Sequence, residues 1–165
     1  MSHPFDSLSV PDQSGRLIFT PCPGTKDSSL ANALSTLKQA GASAVLTLMP
    51  LAELESNGAS ELPAQCAALG LTWLHLPVAD EQVPLADFDR AWQDCHAQIR
   101  DLLNADQAIV IHCKGGSGRT GLVAARILID NGMRRSQAVS LVQALRPKAI
   151  QHPAHAGWLA QFDPD

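Results

Sequence analysis

His112-Cys113-Lys114-Gly115-Gly116-Ser117-Gly118-Arg119-Thr120-Gly121 separates an apolar run, Ala108 to Ile111, from a run with helical spacing, Leu122 to Ile129. A strand, a Gly-rich turn and a helix in that order build an anion cradle. The main-chain N–H groups of the turn and the positive end of the helix dipole converge on one point. A cysteine placed there gives up its proton readily, because helix N-termini and cationic neighbours favour the thiolate. The stretch therefore predicts a sulfur nucleophile beside a seat for a phosphate dianion.

Outward from this loop, strands and helices alternate and then helices continue alone. Short apolar strands are predicted at Leu17 to Thr20, Ala44 to Met49, Leu71 to Leu76 and Ala108 to His112. Ser28 or Ser29 caps a helix through about Ala40, which Gly41 ends. Leu51 to Ser56 and Glu61 to Leu69 read as helical turns. Pro84 to Leu103 reads as a long amphipathic helix with Leu85, Phe88, Trp92, His96, Ile99 and Leu103 on one stripe. After the loop come Arg119 to Asp130, a helix capped by Ser136 and running to Arg146, and a short helix over Ala154 to Phe162. Residues 1–15 are expected to pack as an irregular arm. The fold class is α/β: a central, mainly parallel sheet of four or five strands flanked by helices, with an all-helical C-terminal part. Ligands of such sheets sit at the carboxyl ends of the strands. That edge carries Cys113, Cys22 to Asp27, Pro50 to Glu53 and Pro77 to Glu81.

Three chemistries compete for the glycine loop. Gly116-x-Gly118-x-x-Gly121 matches the dinucleotide fingerprint literally, but no strand follows it and the next segment, Gln137 to Leu145, carries no acid. A nucleotide-binding P-loop requires Gly-Lys-Ser or Gly-Lys-Thr to close it, and that is absent. The third reading uses every unusual residue. Cys113 is the nucleophile, and the amides of Lys114, Gly115, Gly116, Ser117, Gly118 and Arg119 bind phosphoryl oxygens. The Arg119 guanidinium grips two of those oxygens as a fork. Thr120 sets a hydroxyl near the sulfur, and His112 braces the loop from below through backbone carbonyls. A leaving group also needs a proton. Asp80 and Glu81, after the third strand, are the competing donors, and either acid also suits the start of the following helix.

Composition narrows the class further. The 165 residues are 45% hydrophobic and 17% charged, which suits a single globular domain spanning 1–165. A net charge of −4 argues against nucleic acid or an anionic membrane as partner. Of the cationic pairs, Lys114 with Arg119 belongs to the loop, whereas Arg134 with Arg135 and Arg146 with Lys148 read as solvated surface. The start of the chain has no signal-peptide pattern and no run is long enough to span a bilayer. Cys22, Cys66, Cys95 and Cys113 show no C-x-x-C spacing, so neither a disulfide framework nor a metal site is expected, and a reducing, cytoplasmic setting is. A monomer is expected. Cys22 lies on the active edge and is a candidate redox partner for Cys113.

His112-Cys113-x5-Arg119-Thr120-Gly121 resembles the signature of the protein tyrosine and dual-specificity phosphatase superfamily. Pro23-Gly24-Thr25-Lys26-Asp27, Pro77-Val78-Ala79-Asp80 and Ala149-Ile150-Gln151 extend the likeness toward the cyclin-dependent-kinase-associated phosphatase branch, over about Leu17 to Phe162. The resemblance implies a reaction without metal or cofactor on phosphorylated protein or peptide. Cys113 would form a phosphocysteine while Asp80, preferred over Glu81 on this likeness, protonates the leaving oxygen. Asp80 would then activate water. Gln151 would help place that water, and His155 stands where relatives often carry a second glutamine. The other readings are a rhodanese-like sulfurtransferase, which also presents a cysteine on an anion-binding loop, and a non-catalytic phospho-ligand binder.

Overall fold

The computed structural model describes residues 2–163. Among these, β1 (Asp6–Ser9), β2 (Arg16–Thr20), β3 (Ala42–Thr47), β4 (Thr72–His75) and β5 (Ala108–His112) form one sheet in the order β1-β2-β5-β3-β4. β2, β5, β3 and β4 run parallel, and β1 closes one edge antiparallel to β2. The helices are α1 (Leu30–Gln39), α2 (Leu51–Ser56), α3 (Leu62–Ala68), α4 (Ala86–Asn104), α5 (Gly118–Asp130), α6 (Arg135–Leu145) and α7 (Pro153–Ala160).

Alternation along the strands assigns the two faces. Leu17, Phe19, Leu46, Ile109 and Ile111 point into a core shared with Phe88, Trp92 and Leu122. Ile18, Val45 and Val110 point the other way, against Leu34, Leu37 and Leu62. Burial on both faces explains why β3 and β5 read as unbroken apolar runs. Each large side chain so buried contributes about 1.5–3 kcal/mol, far more than any surface contact. The sheet is thus a rigid base for the loops at its carboxyl edge.

Two expectations are corrected. Residues 1–15 are not an irregular arm throughout, because Asp6–Ser9 pair with β2 in the register Asp6↔Phe19 to Ser9↔Arg16. Leu8 is the one buried residue of that strand, so no apolar alternation marked it. Ser136 does not cap α6. The helix begins at Arg135, whose main-chain N–H donates to Asp163 Oδ2 at 2.8 Å, so a distant carboxylate fills the capping role. Ser29 does cap α1, accepting from the Asn32 amide at 3.1 Å.

Candidate active site

Parallel pairing brings Thr20, Thr47 and His112 to one level at the carboxyl edge. The chain leaves β5 at Cys113 and turns through residues 114–117 into α5. Gly116 adopts φ +78°, and a Cβ there would lie 2.6–2.7 Å from the Thr20–Pro21 peptide. Only glycine fits so close a backbone approach. The Cys22 amide donates to the Lys114 carbonyl at 3.0 Å, tying the loop after β2 to the cradle. Among the described residues no protein acceptor pairs with the main-chain N–H groups of Lys114, Gly115, Ser117, Gly118 and Arg119. These are the free donors that a helix start and a nest leave for an anion.

Cys113 is 3% exposed. Its Sγ accepts from the Gly116 amide at 3.3 Å and from Thr120 Oγ1 at 3.1 Å. Each contact presents a proton to the sulfur. Burial pushes the Cys22 thiol up to about 12, reinforced by the charges of Glu53 and Cys113, so that thiol stays protonated.

His112 is fully buried and lies under the loop. The Trp73 indole donates to Thr47 Oγ1 at 2.8 Å, which leaves the Thr47 hydroxyl proton for His112 Nε2, also at 2.8 Å. His112 Nδ1–H then donates to the Cys113 carbonyl at 3.2 Å. This tautomer is assigned from the Cys113 carbonyl, which can only accept and so places the ring proton on Nδ1. His112 thus holds one carbonyl and one hydroxyl, rather than the several carbonyls expected. Burial holds its pKa down to about 4, so the ring is neutral.

Arg119 is the most heavily bonded side chain of the site. Its two terminal nitrogens each donate to one Glu53 carboxylate oxygen at 2.7 Å, and Nη1 also donates to the Val78 carbonyl at 2.9 Å. Burial opposes its charge, but the hydrogen bonds it donates to Glu53, with the nearby charges of Cys113, Glu53 and Asp80, outweigh that and hold its pKa above the ordinary value. A guanidinium has five N–H groups. Three are taken here, which leaves Nε–H and one Nη2–H on the adjoining edge. Among the described residues that edge makes no hydrogen bond, although Asp80 Oδ1 stands 3.3 Å from Nη2. Glu53 was not anticipated as a site residue. Its place in the first turn of α2 reads equally well as a simple dipole partner.

Asp80 Oδ1 lies 3.3 Å from Arg119 Nη2, and the side chain is 66% exposed. Glu81 lines the same cavity but takes φ +63° and makes no ion pair among the described residues. The Asp80 loop is held at Val78, whose amide donates to the Leu48 carbonyl, and at Gln82, whose carbonyl faces His155 Nε2 at 3.1 Å. The cavity over Cys113 measures about 800 Å³, and Lys26, Lys114, His152 and His155 stand on its walls. Gln151 is outside that lining, its amide donating to the Pro147 carbonyl at 2.6 Å. Arg146, expected at the solvated surface, instead donates from Nε to the Gly116 carbonyl at 2.8 Å.

Residues 23–133 match the family model described as "Polymorphic toxin system, DSP-PTPase phosphatase". A probable protein tyrosine phosphatase type IVA B of Dictyostelium discoideum is 37% identical over 76 residues, which cover 45% of this chain and 46% of that protein. The matched stretch is therefore under half the length of this relative. Kinase associated phosphatase, in a crystal structure with its catalytic-site cysteine replaced by serine, aligns with a TM-score of 0.83 at 23% identity, over 98% of this chain and 94% of that one. PTPMT1 in complex with PI(5)P aligns with a TM-score of 0.67 at 17% identity, over 88% of each chain. These two structural likenesses speak to the fold.

Proposed function

The chain belongs to the DSP-PTPase phosphatase family, within the cysteine-based protein tyrosine and dual-specificity phosphatases, and we propose from that premise that it hydrolyses phosphomonoesters through a phosphocysteine. One observation carries the reading: Asp80 is drawn to Arg119, 3.3 Å away, in a cavity whose floor is the buried Cys113. In the first step Cys113 Sγ attacks phosphorus in line, the P–O bond to the alcohol breaks, and Asp80 gives its proton to the leaving oxygen. The loop amides and the free edge of Arg119 take up the charge on the equatorial oxygens. In the second step Asp80, now a carboxylate, removes a proton from water. The water oxygen attacks phosphorus, and the S–P bond breaks. Thr120 and the Gly116 amide receive the departing thiolate.

The substrates we propose are phosphorylated proteins or peptides, carrying phosphotyrosine and also phosphoserine or phosphothreonine. His155 supports the acid loop through Gln82, and Gln151 would have to turn from the Pro147 carbonyl to help place the water. The cavity, nucleophile, acid and arginine all come from one chain, which suits a single-domain monomer. Four cysteines without disulfides among the described residues suit a reducing compartment such as the cytoplasm. A sulfurtransferase has no use for Asp80 as an acid, and a thiosulfate:cyanide assay separates that reading.

One feature favours a second substrate class. Among the described residues no Val, Leu, Ile, Met or Phe lines the cavity, and Lys26 and Lys114 make no ion pair. A phosphorylated polyol with further anionic groups would suit the two lysines, and PTPMT1, which shares the fold, has been crystallised in complex with PI(5)P. The test of the main reading is hydrolysis of p-nitrophenyl phosphate in a chelating, reducing buffer. Turnover by wild type with none by Cys113→Ser is expected, and equal rates would end the claim. Comparing phosphopeptides with phosphoinositides then ranks the two substrate classes.

A further inference from the structure

We propose that Arg146 is a positioning residue that aims the Ser117 amide into the phosphate cradle. The inference rests on the phosphatase reading of the loop and adds to it a residue from outside the motif. Arg146 follows the last turn of α6, in the extended conformation that Pro147 imposes on its predecessor. Its side chain is only 17% exposed. The guanidinium is fixed on several sides: Nη1 donates to Asp6 Oδ2 of β1 at 2.9 Å and to the Leu145 carbonyl at 3.0 Å, and the group lies 5.7 Å from the centre of the Phe19 ring. So anchored, Nε–H has one partner, the Gly116 carbonyl at 2.8 Å.

Peptide geometry converts that contact into an effect on the anion site. A trans peptide is planar, and its C=O and N–H point in opposite directions. The 116–117 peptide is trans, as no cis bond occurs among the described residues. When Arg146 draws the Gly116 carbonyl outward, the Ser117 N–H on the same plane must point inward. That N–H has no protein acceptor among the described residues. A cation on the carbonyl also polarises the peptide and strengthens the opposite N–H as a donor. Glycine at 116 leaves the loop free to rotate this plane, because no side chain fixes it. Without Arg146 the plane loses the contact that selects its orientation.

Removing one oxyanion donor outright costs about a hundred- to a thousand-fold in rate. A donor that is present but unaimed should cost less, roughly ten- to a hundred-fold. Arg146→Met keeps the stem that packs near Phe19 and deletes the donors. Arg146→Gln places an amide N–H the same number of bonds from Cα as the arginine Nε, without the charge. For Arg146→Met we expect kcat/KM to fall by the same factor on p-nitrophenyl phosphate and on phenyl phosphate, and vanadate affinity to fall with it. Arg146→Gln should recover most of both. In amide NMR spectra the Ser117 resonance should move on adding vanadate to wild type and move much less in Arg146→Met, while Gly115 responds in both.

An Arg146→Met protein with wild-type rate and vanadate affinity would overturn the proposal. So would Arg146→Gln as impaired as Arg146→Met while Ser117 still responds to vanadate. Should Arg146→Met fail to fold, the wild-type spectrum still decides: a Ser117 resonance indifferent to bound vanadate contradicts an inward N–H. Wild type that neither binds vanadate nor turns over is a different failure, that of the phosphatase reading itself.

Discussion

The phosphate loop and the acid loop meet over the same cavity but are built differently. The phosphate loop exposes Lys114, Gly115 and Gly118 but is held from behind at four points: by Cys22 at Lys114, by Arg146 at Gly116, by His112 at Cys113 and by Thr120 at the sulfur. The acid loop is held at Val78 and Gln82, and between those points Asp80 is 66% exposed. The difference suits the two tasks proposed for them. Charge stabilisation needs donors that do not reorganise as the reaction proceeds. A group that first donates and then accepts a proton must reach a leaving oxygen in one step and water in the next. The fold places the first on rigid strand and helix ends and the second on a lightly tethered connection.

This contrast predicts two distinct kinetic signatures. Asp80→Asn should give the largest split. On phenyl phosphate, whose leaving group needs a proton, kcat/KM, which stops at the P–O cleavage step and is blind to the shared hydrolysis step, should fall roughly a hundred- to ten-thousand-fold. On p-nitrophenyl phosphate the loss should be much smaller, because that leaving group departs unaided. Equal losses on both would place the acid elsewhere, with Glu81 the next candidate. Arg119→Lys should behave oppositely and lose about a hundred- to a thousand-fold on both substrates, since a lysine can satisfy neither Glu53 nor the phosphoryl edge as a fork. A loss confined to the poor leaving group would join Arg119 to the acid rather than to the cradle.

The smallest effect concerns stability. His112 is buried neutral with its pKa lowered to about 4. The unfolded chain takes up that proton near pH 6.5, so the stabilisation is fully present above 6.5 and is lost as pH falls toward 4. The loss is on the order of 3 kcal/mol at full extent. Thermal unfolding midpoints should therefore drop between pH 6.5 and 4, and His112→Gln should flatten that part of the profile. An unchanged slope would assign the acid sensitivity to other groups, with His3, also held down by burial, first among them.

What the sequence revealed divides along the same line. The phosphate loop was legible because its parts are adjacent in the chain, so glycine, cysteine and arginine spacing encodes the cradle directly. Asp80 was legible only as one of two neighbouring acids. Choosing it took a resemblance, and its approach to Arg119 is a three-dimensional fact. Glu53 and Arg146 lie 66 and 30 residues from their partners in the loop. Nothing local distinguishes a glutamate that neutralises a buried guanidinium from one that decorates a helix start. Arg146 looked like surface because arginines usually are. β1 escaped for a related reason, since an edge strand with one buried residue carries no apolar pattern.

The claim on which the rest depends is covalent chemistry at one sulfur. Rapid acid quenching during turnover of a phosphomonoester, followed by mass spectrometry of the intact and digested protein, reads it directly. The account predicts a single phosphoryl group on the peptide carrying Cys113, present in wild type, enriched in Asp80→Asn with an aryl phosphate whose second step is slowed, and absent in Cys113→Ser. Steady turnover with the phosphoryl group on another residue, or unchanged turnover in Cys113→Ser, would contradict it.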